Sequence, residues 1–149
     1  MTDNIASDHL ELITQLNKVL SDSFSRFPRR QNDYRRLIHE MEKKHNITGV
    51  KYPAANCVAS HIKPLAQCEV YEEAHDKFNG LWLDKRMDQL FDKGYITFTD
   101  EGVVIIGSQC CDERLNRLGL PRNEIHHISP LLSEQRSYMQ YHREYVFKP

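Results

Sequence analysis

The sequence predicts an α+β fold, with a helical N-terminal extension ahead of a small strand–turn–helix unit and a further β-hairpin. Apolar side chains recur at helical spacing through residues 8–27 and again through 31–44. Beyond Gly49 the pattern changes to short β-branched and aromatic runs bounded by turn residues, at 56–62, 95–99 and 103–106. Between the first two runs lies an amphipathic stretch with its own start signal at Asp84 and stop signal at Gly94. With 149 residues, 40% hydrophobic and 28% charged, the chain suits one compact domain with a real core and room for a helical extension.

The first expected helix places Leu10, Ile13, Leu16, Leu20 and Phe24 on one stripe, with Asp8 and Glu11 resembling a capping box and Pro28 ending it. A second runs from about Gln31 to Lys44, with Tyr34, Leu37, Ile38, Met41 and His45 on one face and the breaker Asn46-Ile47-Thr48-Gly49 after it. Residues 1–45 thus form a helical extension expected to pack on the core or on a second subunit, and 46–149 the domain that follows. A short strand is expected at 56–62, stopped by Pro64. A polar connection leads to Asn79-Gly80, a favoured two-residue turn, and to Leu81-Trp82-Leu83. Asp84 then caps a helix to about Lys93, with Met87, Leu90 and Phe91 inward and Gly94 as its stop. Residues 95–99, the turn Asp100-Glu101-Gly102 and residues 103–106 read as a β-hairpin; 125–130 read as one more short strand. Ser133 starts a closing helix with Tyr138, Tyr141 and Tyr145 on one side.

No apolar run approaches the roughly 20 residues that a bilayer span needs, and the N-terminus lacks the features of a signal peptide, so a soluble, cytoplasmic protein with no membrane partner is expected. Cys57, Cys68, Cys110 and Cys111 are too few and too irregular for a disulfide framework or zinc knuckles, and reduced thiols are expected. A net charge of -1 gives no bulk attraction to nucleic acid, so phosphate binding has to come from local patches. Candidates are Arg29, Arg30, Arg35 and Arg36, the pair Lys85-Arg86, and Arg114, Arg117 and Arg122.

Hydrolysis of a phosphodiester requires a base for water and a cation for the charge that builds on the phosphate. His61 stands at the end of a predicted strand, and an ordinary histidine accepts a proton near neutrality. Asp84, Asp88 and Asp92 share one strip of the following helix, at the edge of its buried face, where a carboxylate is able to hold a cation. His61, Asn79 and Asp88 therefore sit on a strand, a turn and a helix that are able to converge on one side of a hairpin.

Three linked motifs, Ala59-Ser60-His61-Ile62-Lys63-Pro64, Asn79-Gly80-Leu81-Trp82-Leu83 and Leu90-Phe91-Asp92-Lys93-Gly94, make residues 45 to 132 resemble the HNH endonucleases. Ile47-Thr48-Gly49 and Ile128-Ser129-Pro130 add to the likeness. The resemblance implies a ββα-metal fold acting on DNA, with His61 as general base and Asn79 fixing the hairpin, orienting His61 or touching the metal. The position where the family carries its last histidine is Asp88, which favours Mg²⁺ or Mn²⁺ over softer ions. Ser60 stands where the wider class often has a metal ligand. His45 replaces a frequent cysteine and reads as a packing substitution, while His126 and His127 are the outside candidates for a further ligand. Lys63, Lys85 and Arg86 border the motifs and are the cations expected at nucleic acid. Restriction, phage defence or DNA processing is the setting that the resemblance implies. A homodimer built through the N-terminal helices would pool the arginine patches. The alternative is a catalytically degenerate member that binds nucleic acid or a protein without hydrolysis, to which Asp88, Ser60 and the near-neutral charge point.

Overall fold

The computed structural model describes Leu12, Ile13 and residues 28–149. The first expected helix lies outside the described residues apart from Leu12 and Ile13, which are helical and exposed. Helix α1 spans Pro28–His45. Pro28 opens this helix, as a proline can, since its missing N–H falls in the first turn where no intrahelical partner exists. Lys43, Lys44 and His45 occupy its last turn, where positive charge complements the helix dipole. Tyr34, Ile38 and Met41 are buried as expected, but Leu37 and His45 are exposed, so His45 is not a packing residue.

Residues 34–149 form one compact unit. Its first sheet pairs β1 (Cys57–Ser60) with β2 (Leu81–Asp84) antiparallel, Cys57 opposite Asp84 and Ser60 opposite Leu81. Every residue of β2 is buried, because the sheet has cover on both faces. Side chains alternate along a strand, so Leu81 and Leu83 enter the main core while Trp82 packs with Tyr34, Ile38 and Cys57 on the α1 side. Helix α3 (Lys85–Asp92) covers the main-core face with Leu90 and Phe91. The Asp84 carboxylate accepts from the main-chain N–H groups of Arg86 and Met87 at 3.0 and 3.2 Å, a cap worth about 1 kcal/mol. Gly94 ends the helix in the left-handed region at φ 78°.

The connection between the two strands differs from expectation. Asn79-Gly80 is not a two-residue hairpin turn: residues 61–80 intervene, carrying the short helix α2 (Tyr71–Ala74). Gly80 is instead a point of close approach, where a Cβ would collide with the Tyr34 hydroxyl and lie 2.6 Å from Ile38 Cδ1. The Ile47-Thr48-Gly49 motif also gains a physical reason. Ile47 is buried, the Thr48 hydroxyl donates to the Trp82 carbonyl at 2.7 Å, and the Glu42 carboxylate accepts from the N–H groups of Thr48 and Gly49.

The second hairpin follows the sequence pattern, with β3 (Ile96–Phe98) antiparallel to β4 (Val104–Ile106) and Gly102 at φ 89° in its turn. The strand expected at 125–130 reduces to a single bridge between Val103 and His127. Helix α4 (Asp112–Arg117) lies in the intervening loop. The close of the chain is a 3₁₀ turn (Ser133–Gln135), helix α5 (Arg136–Tyr141) and a wider π turn (His142–Val146). Its buried stripe is Gln135, Met139 and His142, while the tyrosines lie toward the surface and Tyr145 is exposed.

His142 links the closing helix to both α3 and β3. Its Nε2 donates to the Phe91 carbonyl and its Nδ1 accepts from the Thr97 hydroxyl, both at 2.8 Å, and its ring stacks on Phe91. Burial pulls its pKa down to about 4. Protonation therefore favours the unfolded chain, so this contribution is intact above the ordinary histidine value and is lost as pH falls toward 4. Acidification from pH 7 to 5 is expected to cost about 2 kcal/mol through this residue. Melting temperature followed against pH checks it, and His142→Gln should flatten the slope.

Candidate active site

The alternation that builds the sheet also distributes the site residues around one end of β1. Cys57 and Ala59 turn to the α1 side, Ser60 turns to α3, and His61, just beyond the strand, comes back to α1. The His61 ring lies flat on Tyr34, centroids 4.0 Å apart and 9° from parallel. Its Nε2 lies 2.8 Å from the Ala74 carbonyl. A carbonyl only accepts, so Nε2 carries the proton and Nδ1 keeps a lone pair. No hydrogen bond engages Nδ1 among the described residues. Burial lowers the pKa of His61, and the Ala74 bond and nearby Asp92 oppose that shift.

Tyr34 anchors the histidine in turn. It is buried, and its hydroxyl donates to the Asn79 carbonyl at 2.6 Å. Nothing local in the sequence pairs residue 34 with residue 61, although the helical stripe did mark Tyr34 as buried.

Asn79 is fully buried, and its amide is spent on main chain of the connection. Its Oδ1 accepts from the Lys63 N–H at 2.8 Å, and its Nδ2 donates to the carbonyls of Glu73 at 3.0 Å and Lys63 at 3.3 Å. The side chain thus ties the start of the connection to α2, one residue before the Ala74 carbonyl that holds His61.

Asp88 is half-buried on α3 and receives the Ser60 hydroxyl. Desolvation raises its pKa; the Ser60 bond counters this, and Asp92 and Asp84 reinforce it. Asp92, one turn along, is also the carboxylate that His61 senses. His61 and Asp88 are therefore reached from opposite faces of the β1 end, with Asp92 near both. Asp92 belongs to the acidic strip visible in the sequence, but its nearness to His61 was not legible there.

Among the described residues no group of three His, Cys, Asp or Glu side chains has the geometry of a metal cluster. The donors at hand are Asp88, with Asp92 beside it, all hard oxygen. That set suits Mg²⁺ or Mn²⁺, which are held by one or two carboxylates and complete their shell with water and substrate phosphate. It does not suit a closed zinc site. A half-buried carboxylate pushed toward protonation by desolvation first and by two like charges after it is a group that a cation would stabilise.

The expected cations occupy different settings. Lys63 pairs with Glu73 at 2.9 Å and lies over the Tyr141 ring, leaving its side chain 12% exposed. Lys85 is exposed; Arg86, also exposed, bonds to the Tyr52 hydroxyl and approaches Asp84 at 3.6 Å. Arg35 donates to the carbonyls of Cys57 and Ala54, and Arg122 donates to those of Gly107 and Cys110, so both serve loop structure. His126 bonds to the Pro121 carbonyl, and His127 is tied to the second hairpin. The four cysteines are free thiols, and no helix among the described residues is long and apolar enough to cross a membrane.

Residues 46–99 match the model of a family described as HNH endonuclease. This segment, which contains His61, Asn79 and Asp88 and is a mixed α and β unit, is similar to the HNH endonucleases. The match ends short of residue 132, so Ile128-Ser129-Pro130 lies beyond it. That likeness points to nuclease activity in general. No curated protein matches the chain.

Proposed function

We propose that the protein is a metal-dependent endonuclease that hydrolyses DNA phosphodiester bonds, with His61 as general base and a divalent cation, Mg²⁺ or Mn²⁺, held at Asp88. The observation that carries this is the Nε2 to Ala74 carbonyl bond, which leaves the Nδ1 lone pair of His61 available for a water proton. Tyr34 stacking keeps the ring from turning, so proton transfer needs no reorientation. Asn79 acts one step back, by holding the connection that supplies the Ala74 carbonyl. Asp88, with Asp92, would hold the cation, and Ser60 would orient the Asp88 carboxylate. When bound, the cation neutralises charge that builds on the phosphate and the leaving oxygen. Lys85 and Arg86 are available to flanking phosphates, and Lys63 serves chiefly to brace the connection. Dimerisation through the N-terminal helices remains part of the proposal, as does a role in restriction or DNA processing.

The second reading, a non-hydrolytic binding domain, draws support from the thin donor set around Asp88. The pH dependence of supercoiled-plasmid nicking in Mg²⁺ tests both. A base must be neutral to work, and burial lowers the His61 pKa, so the rate should rise with pH and reach half its plateau below about pH 6.5. Absence of nicking at every pH would favour the binding domain, and a rise centred well above 7 would remove His61 as the base.

A further inference from the structure

Next to the site lies a cleft of about 480 Å³ bordered by Pro64, Asp92, Lys93, Tyr141, Tyr145 and Lys148. Pro64 follows His61 by three residues and Asp92 lies one helical turn beyond Asp88, so the cleft adjoins the site. Its volume falls in the range of small-ligand pockets, roughly 300–1,000 Å³. Tyr141 and Tyr145 stand one turn apart, with ring centroids 4.8 Å apart and planes at 43°. Tyr141 is held in place: the Lys63 ammonium lies 4.9 Å from its centroid, and its hydroxyl donates to Gln67 Oε1 at 3.2 Å. Tyr145 leans on Tyr141 and is 67% exposed, which leaves a large aromatic surface open. Lys93 and Lys148 enter no ion pair among the described residues.

We propose that this cleft is a subsite for an unpaired nucleotide beside the scissile phosphate, its base stacked on Tyr145 and its phosphate drawn to Lys93 and Lys148. The inference rests on the nuclease reading of the His61 site. The charges fit the assignment: the single acid of the cleft, Asp92, is the one His61 senses, while the two lysines supply the charge that a neighbouring phosphate requires. Stacking on tyrosine tolerates any base, because every base has a π face. A base inside a duplex has that face already covered, so the subsite should favour single-stranded or locally opened nucleic acid. Tyr141, Tyr145 and Lys148 all lie outside the segment that matches the family.

The test is fluorescence anisotropy of the full chain in EDTA, which prevents hydrolysis, with a labelled single-stranded oligonucleotide and with its duplex. Tyr145→Ala is expected to weaken single-strand binding about tenfold, Tyr145→Phe to retain it, and duplex binding to change far less. Thermal melting of the same variants checks that the fold is kept. If Tyr145→Ala binds the single strand like the wild type while the wild type nicks plasmid in Mg²⁺, the subsite falls and the nuclease reading stands. If Tyr145→Ala weakens single strand and duplex alike, the preference for unpaired bases is overturned. A wild type that neither binds nor nicks removes both.

Discussion

His61→Ala is expected to lower Mg²⁺-dependent plasmid nicking by about 10²–10⁴-fold, the usual contribution of a positioned general base. The fold should survive the change. His61 is only partly buried; it loses a stacking contact with Tyr34 worth about 1 kcal/mol and one hydrogen bond to the Ala74 carbonyl. Nicking rates measured beside thermal melting separate a chemical loss from unfolding. A variant that melts near the wild type but nicks at nearly its rate would remove His61 from the chemistry.

Asn79→Ala should have the largest effect on stability. It strips a fully buried amide whose two ends hold the Lys63 N–H and the carbonyls of Glu73 and Lys63, and leaves those groups without partners. Each buried orphan costs about 1–3 kcal/mol, so a loss of about 3 kcal/mol or more is expected, with a fall in melting temperature. Nicking should fall with it, because the loosened connection also carries the Ala74 carbonyl under His61. Denaturant titration, with Mn²⁺ binding measured below the unfolding midpoint, separates bracing from direct ligation. If Asn79 acted mainly on the metal, Mn²⁺ affinity would drop while stability held.

Much of the local architecture was legible in the sequence because its signals are local. Asp84 is the cap and Gly94 the stop that their residue types suggest, and the 95–106 hairpin appears with Gly102 in its turn. The strand before His61 is shorter than expected by a residue or two at each end. Contacts set by tertiary packing were less visible. Asn79-Gly80 has the composition of a tight turn, yet burial against Tyr34 and Ile38 gives Gly80 another task. The closing helix was oriented by its tyrosines, whereas packing selects Gln135, Met139 and His142, two of them polar groups that find partners inside. Apolar periodicity cannot mark a polar residue as buried when its partners are some 50 positions away.

At the site the same division holds. The motifs singled out His61, Asn79 and Asp88, and all three lie in the segment that matches the family. What the residues touch came only from the fold. Ser60 reaches Asp88 because strand alternation turns it toward α3, and the stack of His61 on Tyr34 depends on a helix far away in the chain.

Gel-based nicking of supercoiled plasmid by wild type and Asp88→Ala, in Mg²⁺, Mn²⁺ or EDTA, tests the proposed activity most directly. Nicking by the wild type only with metal, and its loss in a folded Asp88→Ala, is the predicted result. Nicking that persists in EDTA, or is unchanged in Asp88→Ala, would contradict a metal-dependent mechanism centred on this carboxylate.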